Sequence, residues 1–263
     1  MRCEPSTDYV IPSDWGGEDE RLRLLGEWRD PITLARMERL GLGPGWRCLE
    51  VGVGSGLTAR AMAARVGGGG GGRVTAADIN AAFVARLEGA PDIDAVQCDI
   101  RIDDFPAGSF DLIHTRLVLE HLPDPAAVMR RMVEWLAPGG WLLFEEPDTA
   151  QGAVSPDDLW ARHMQAYAAD PGYDCNYGRR LPADVARLGV VAVDAEMDTA
   201  MVRGGTDLAR WYAMTIEAVR PGLVSTGRIT AAELDELAAR LGRPGLLEPG
   251  MTFVAVWGRQ PTG

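Results

Sequence analysis

The sequence is poor in histidine, with three, and its four cysteines (Cys3, Cys48, Cys98 and Cys175) include no C-x-x-C pair. The first scarcity narrows any imidazole chemistry to His114, His121 or His163. No H-x-x-x-H or paired Asp-Asp-Asn arrangement stands out, so no bound metal is expected. The second predicts free thiols in a reducing compartment rather than a disulfide framework. A Lys/Arg cluster is also missing. With 26 basic against 38 acidic residues the formal net charge is -12, which would repel a nucleic-acid backbone and offers no basic patch to a membrane surface. No apolar run approaches the ~20 residues that span a bilayer, and the opening MRCEPSTDYVIPSDW lacks the apolar centre of a signal peptide. These absences predict a soluble, cytoplasmic protein without nucleic-acid or membrane partners.

What is present is a globular chain of 263 residues, 46% hydrophobic, with clear punctuation. Asp30-Pro31 predicts a helix start and Gly41 its end. WRCLEVGV predicts a strand and LTARAMAARV a helix, while the six glycines from 67 to 72 predict a surface loop. RVTAADI, IDAVQCDI and SFDLIHTR predict three more strands, with the helix INAAFVARLE between the first two. Asp124-Pro125 caps a helix that ends at the Ala137–Gly140 turn before the strand WLLFEEP. Strands alternating with helices predict an α/β fold, doubly wound about a mostly parallel sheet whose ligands sit beyond the strands' carboxyl ends.

The stretch LEVGVGSG places Gly52, Gly54 and Gly56 at such an end, directly after Glu50. A dinucleotide loop would read G-x-G-x-x-G, and a carboxylate is a poor neighbour for a pyrophosphate. It is a good neighbour for a cationic ligand. No Gly-Lys-Ser/Thr follows, which argues against a nucleoside-triphosphate loop.

With these motifs the stretch from Gly45 to Pro147 resembles the class I S-adenosylmethionine-dependent methyltransferases, of the small-molecule, biosynthetic type. The resemblance implies a Rossmann-like methyltransferase sheet and S-adenosylmethionine as cofactor, with S-adenosylhomocysteine as product. It implies that Glu50, Gly52, Gly54 and Gly56 belong to the cofactor loop. Asp78 matches the acid that accepts from the ribose hydroxyls, with Ile79 on the adenine face. Asp99 matches the acid that accepts from the adenine amino group, beside Ile100. The backbone around Thr115 and Arg116 matches the part that meets the methionine amino group.

His121 and Glu120, in LEHLPDP, are the candidate general bases; relatives often carry His-His there, and Glu120 departs from that pattern. Residues 1–44, with Tyr9, Trp15 and Trp28, predict an N-terminal helical lid, and 45–148 the cofactor-binding core. Residues 149–263 predict a helical cap plus the last strands, VVAVDAEMDTAMV and MTFVAVWGR. Ser155-Pro156, Thr206-Asp207 and the capping box Thr230 to Glu233 mark the cap helices. Trp160, Met164, Tyr167, Trp211, Tyr212 and Met214 could line a pocket there, although most are expected to pack between helices. The expected function is methyl transfer to a small, largely apolar metabolite in secondary metabolite biosynthesis, on oxygen before carbon or nitrogen, by a monomer or homodimer. The alternatives are a cyclase or isomerase that binds the cofactor without methyl transfer, and a non-catalytic cofactor-binding subunit.

Overall fold

The computed structural model describes residues 15–170 and 173–262. Five strands run parallel: β1 (Arg47–Val51), β2 (Arg73–Asp78), β3 (Ile93–Gln97), β4 (Phe110–Arg116) and β5 (Leu136–Asp148). Two more, β6 (Val191–Arg203) and β7 (Leu247–Arg259), close the sheet: β7 pairs antiparallel with β5 and with β6. The order is β3-β2-β1-β4-β5-β7-β6. The chain therefore builds outward from β1 to β3 and then returns to β4 on β1's other side. The crevice that this reversal opens lies between the carboxyl ends of β1 and β4, directly at the glycine loop.

The helices are α1 (Glu18–Leu40), α2 (Leu57–Val66), α3 (Ala81–Ala85), α4 (Pro125–Trp135), α5 (Asp158–Ala169), α6 (Leu181–Ala186), α7 (Asp207–Ser225) and α8 (Ala231–Leu241). Asp124 caps α4, and Thr230 with Glu233 forms the reciprocal capping box of α8. Two expected starts are displaced. The cap of α5 is Asp157, whose side chain accepts from Trp160 N, while Ser155 bonds Glu248 instead. More consequentially, α1 begins at Glu18 rather than at Asp30-Pro31, and carries Pro31 in its interior. Asp30 does not cap, because its carboxylate is turned inward to Arg116 and the Thr58 hydroxyl. Gly41, with φ 102°, ends the helix as expected. Tyr9 lies outside the described residues.

The 26 basic residues are all arginines, and α1 uses two of them in an unusual way. Arg29, Asp30, Thr33 and Arg36 are buried along one face of that helix. Arg36 reaches Glu145 on β5 and, on β6, Glu196 at 3.1 Å and Asp198 at 2.7 Å. Arg29 pairs with the same Asp198 and lies 4.0 Å over the ring of Phe253. A planar guanidinium presents five donors in a fixed fork and so satisfies several carboxylates at once, where a lysine would offer three on a point charge. Apolar packing supplements this: Leu34 and Met37 join the cluster on α2, and Leu24 and Leu25 join that of α5, α7 and α8.

Removing a single partner from a buried charge network leaves the others uncompensated. Arg36→Ala should therefore cost about 3–5 kcal/mol of folding free energy, measured by denaturant unfolding. A loss below about 1 kcal/mol, the scale of exposed pairs, would show that the network contributes nothing.

Candidate active site

The loop after β1 holds Gly52 at φ 77° and Gly54 at φ 48°, a backbone region that side-chain-bearing residues rarely adopt. A Cβ on Gly52 would stand 2.4 Å from the Val118 side chain. Leu22 of α1 covers Gly54, so the N-terminal helix roofs the loop. Gly52 and Gly54 line a cavity of about 290 Å³. Gly56 does not; it lets the chain pass against Leu87, which a Cβ there would meet at 2.7 Å.

One half of the cavity is made by the ends of β1, β2 and β3. Asp78, the last residue of β2, is buried and accepts from the amides of Asn80 (2.8 Å) and Gly54 (3.3 Å). Burial pushes its carboxyl up, against the pull of those amides. Ile79 and Ile100 line the space between Asp78 and Asp99 together with Phe83. Both Asp99 oxygens receive Arg101, each at 2.9 Å, and that guanidinium holds the carboxyl below its usual range. Arg116 also lines the cavity, tied to Asp30 at 2.8 Å and Thr33 at 3.0 Å. Thr115 does not: it is fully buried in β4, and its hydroxyl has no partner among the described residues.

Beneath the loop Glu50 meets His114 Nδ1 at 2.6 Å, and His114 Nε2 faces Glu145 at 3.4 Å. Burial opposes charge on this ring, but the carboxylates on either side outweigh it and raise its pKa to about 9. Glu145 is correspondingly held low, with His114, Arg116 and Arg29 overcoming the cost of its burial. His114 is therefore an imidazolium locked into the core rather than a free base.

The other half of the cavity contains Glu120 and His121, in a short 3-10 turn over Leu119–His121. Glu146 fixes that turn. Its buried carboxylate accepts from the amides of Val118 (3.1 Å), Leu119 (2.8 Å) and Glu120 (3.2 Å). Burial raises the Glu146 carboxyl to about 7, and burial next to Glu146 and Asp174 raises Glu120 well above the carboxylate range. Burial, with Arg21 nearby, drops His121 to about 4. Glu120 and His121 lie 3.5 Å apart, a geometry that would suit an ion pair. Burial drives both groups toward their neutral forms, a carboxylic acid beside an imidazole.

Of the aromatic and methionine residues singled out in the cap, Tyr167 and Trp211 line the cavity. Trp160, Met164 and Tyr212 pack in the core behind them. Sequence reasoning passed over Glu146, Arg21 and Tyr173. The signal for Glu146 was legible: two adjacent acids inside the apolar strand WLLFEEP must both find internal partners. Tyr173 carried no comparable mark.

A family model described as a methyltransferase domain matches residues 18–181. Methyltransferase str2 of Strobilurus tenacellus is 32% identical over 185 residues, covering 64% of this chain and 62% of its own. A ubiquinone biosynthesis O-methyltransferase of Paracidovorax citrulli is 35% identical over 138 residues, covering 49% and 55%. The chain thus spans between half and two thirds of the length of these relatives. Among solved structures, Haemonchus contortus phosphoethanolamine N-methyltransferase 2, in complex with phosphomonomethylethanolamine and S-adenosylhomocysteine, has the same fold. Its TM-score is 0.56 at 18% identity, covering 97% of this chain and 54% of that one.

The His114 cage makes stability depend on pH. A ring that binds its proton more tightly folded than unfolded contributes fully below about 6.5, and loses that contribution as pH rises through about 9. Unfolding free energy should fall between pH 7 and 10, and His114→Gln should flatten the decline. Equal slopes for both proteins in denaturant titrations would remove His114 as the cause.

Proposed function

The chain belongs to the class I S-adenosylmethionine-dependent methyltransferases, and within that family we propose that it methylates an oxygen of a small, largely apolar metabolite. One observation carries this reading: a single cavity joins the glycine loop and Asp78 on one side to His121 and an apolar cap wall on the other. The relative from Paracidovorax citrulli, an O-methyltransferase, supports oxygen as the acceptor atom.

The residues present fit the cofactor. The loop's missing side chains at Gly52 and Gly54 leave bare backbone, Asp78 offers a buried carboxylate to vicinal hydroxyls, and Ile79, Phe83 and Ile100 offer apolar faces to a purine. Asp99, which already accepts from Arg101, would divide its lone pairs between that guanidinium and the cofactor. S-adenosylmethionine supplies an activated methyl group on a sulfonium centre. The protein's part is then to place the acceptor oxygen in line, to keep water out, and to receive a proton. His121 is the better of the two candidate bases, since its ring is neutral at physiological pH while burial favours the protonated form of Glu120. Glu120 would instead orient His121, and Glu146 would hold the turn that bears both.

The direct test is incubation with S-adenosylmethionine and candidate metabolites, followed by mass spectrometry. Formation of S-adenosylhomocysteine with a product heavier by one methyl group is expected. Cofactor binding without either product would support the reading in which the fold holds the cofactor unspent. Asp78→Ala should weaken S-adenosylhomocysteine binding by roughly 1–3 kcal/mol without unfolding the protein. Unchanged affinity in calorimetry would remove Asp78 from the site. His121→Ala should slow turnover ~100-fold or more at unchanged cofactor affinity. Because burial places His121 near pH 4, the wild-type rate should be flat from pH 6 to 8 rather than rising through the ~6–7 of an exposed histidine. A rate that climbs through that interval would show that His121 does not work in its buried setting.

A further inference from the structure

The polar groups around the acceptor half of the cavity divide by whether they are satisfied. Asp174 is paired with Arg180 at 2.6 Å, and Glu146 accepts three backbone amides. Arg21 is held by Glu18 through two nitrogens, Nε at 2.8 Å and Nη2 at 2.7 Å. The Tyr167 and Tyr173 hydroxyls and the Trp211 indole N–H are sealed off, so the side-chain surface those residues give the cavity wall is carbon. Leu25, Val219 and Met251 extend that apolar lining.

Glu120 belongs to neither group. It lines the cavity and is 8% exposed, yet its carboxyl accepts no hydrogen bond among the described residues; its polar contact, His121 Nε2, lies at 3.5 Å. Neither of its oxygens is among the sealed atoms that lack a partner. An unpartnered oxygen that is not sealed opens onto the space its residue lines. The backbone that bears it is fixed on both sides: Glu120 N donates to Glu146 at 3.2 Å, and Glu120 O accepts from Asp174 N at 2.9 Å.

The surroundings choose its counterpart. Burial, then Glu146 and Asp174, push the Glu120 carboxyl up, against the pull of Arg21. The field of those two further acids favours a cation at this place and adds little for a neutral donor. A carboxylate in an apolar wall gains most from a partner that brings both a charge and a hydrogen bond. A protonated amine brings both.

We propose that Glu120 selects the substrate, an apolar molecule carrying a protonated amine that pairs with this carboxylate while an oxygen elsewhere on it receives the methyl group. The word substrate rests on the methyltransferase reading, whereas the pairing is a binding property. Any proton that Glu120 holds in the empty cavity passes to solvent as the ammonium enters, so the pair joins one cation to one anion. The pairing would also set where the acceptor oxygen stands relative to His121, which adjoins Glu120 in the same turn. A neutral analogue of equal shape leaves the carboxyl unpaired and is rejected more strongly than its size requires.

Two probes alike in shape read this without turnover: 2-naphthylmethylamine, protonated near neutral pH, and 2-naphthylmethanol. Each is titrated into the wild-type protein and into Glu120→Gln, with and without saturating S-adenosylhomocysteine. The wild type should bind the amine ~10-fold or more tightly than the alcohol, the scale of a buried charge-assisted hydrogen bond. Glu120→Gln should bring the two probes within ~2-fold of each other, hold the alcohol within ~2-fold of the wild type, and melt no lower. Equal binding of the probes by the wild type, tighter binding of the alcohol, or binding of neither would overturn the proposal. So would a variant that keeps the preference, because another acid would then be pairing the amine. Early melting of Glu120→Gln with loss of both probes would place the carboxyl in the fold rather than in recognition, and would equally overturn it. Failure to bind S-adenosylhomocysteine would count against the functional reading alone, because the probe pair is also titrated on the bare protein.

Discussion

Glu50, His114 and Glu145 stand on one face of the sheet, in β1, β4 and β5, and all three are buried. Either carboxylate alone in that position would cost several kcal/mol, which no nearby apolar contact could offset. The imidazolium between them neutralises part of that charge, and Arg36 with the Thr33 hydroxyl completes the shell around Glu145. Two parts of the molecule hang on this arrangement. Through Glu50 it fixes the strand end from which the glycine loop departs. Through Glu145 and Arg36 it fixes α1, whose Leu22 and Leu25 wall the cavity.

Adjacent residues in a strand face opposite ways, and Glu145 and Glu146 divide their work along that line. Glu145 serves the face that carries α1. Glu146 gathers the three amides of the turn bearing Glu120 and His121. One dipeptide of β5 thus supports both the cofactor half and the acceptor half of the cavity, from opposite sides of the sheet. The middle of α1, from Arg29 to Arg36, is tied to β5 and β6, while its first turn is tied to other parts of the chain through Asp19 with Arg86 and Glu20 with Arg210.

Much of the fold was readable because its signals are local. The strand and helix alternation, Gly41, the Asp124 cap and the Thr230–Glu233 box all rest on residues within a turn of one another. The start of α1 was not, since Asp30-Pro31 carries the local mark of a cap while its partners, Thr58 and Arg116, lie far along the chain. The glycine loop, Asp78, Ile79, Asp99 and Ile100 could be singled out from motif order, and all but Gly56 of that loop face the cavity. Thr115 shows the limit of such placement: alternation turns it away from the cavity while Arg116 beside it faces in. The tuning of His114, His121, Glu120 and Glu146 was out of reach, because it depends on burial by segments that sequence does not place together.

All three described cysteines and all four described tyrosines have their ionisation pushed upward, and there is no lysine anywhere in the chain. Groups that do exchange protons from neutrality upward therefore include two internal ones, Glu146 and His114, and burial also favours the protonated form of Glu120 in the cavity wall. A ligand entering that space changes the dielectric around those groups, and with it the protons they hold. Heats of binding recorded for this protein will accordingly contain the ionisation enthalpy of the buffer, so an intrinsic enthalpy requires titration in at least two buffers of different ionisation heat.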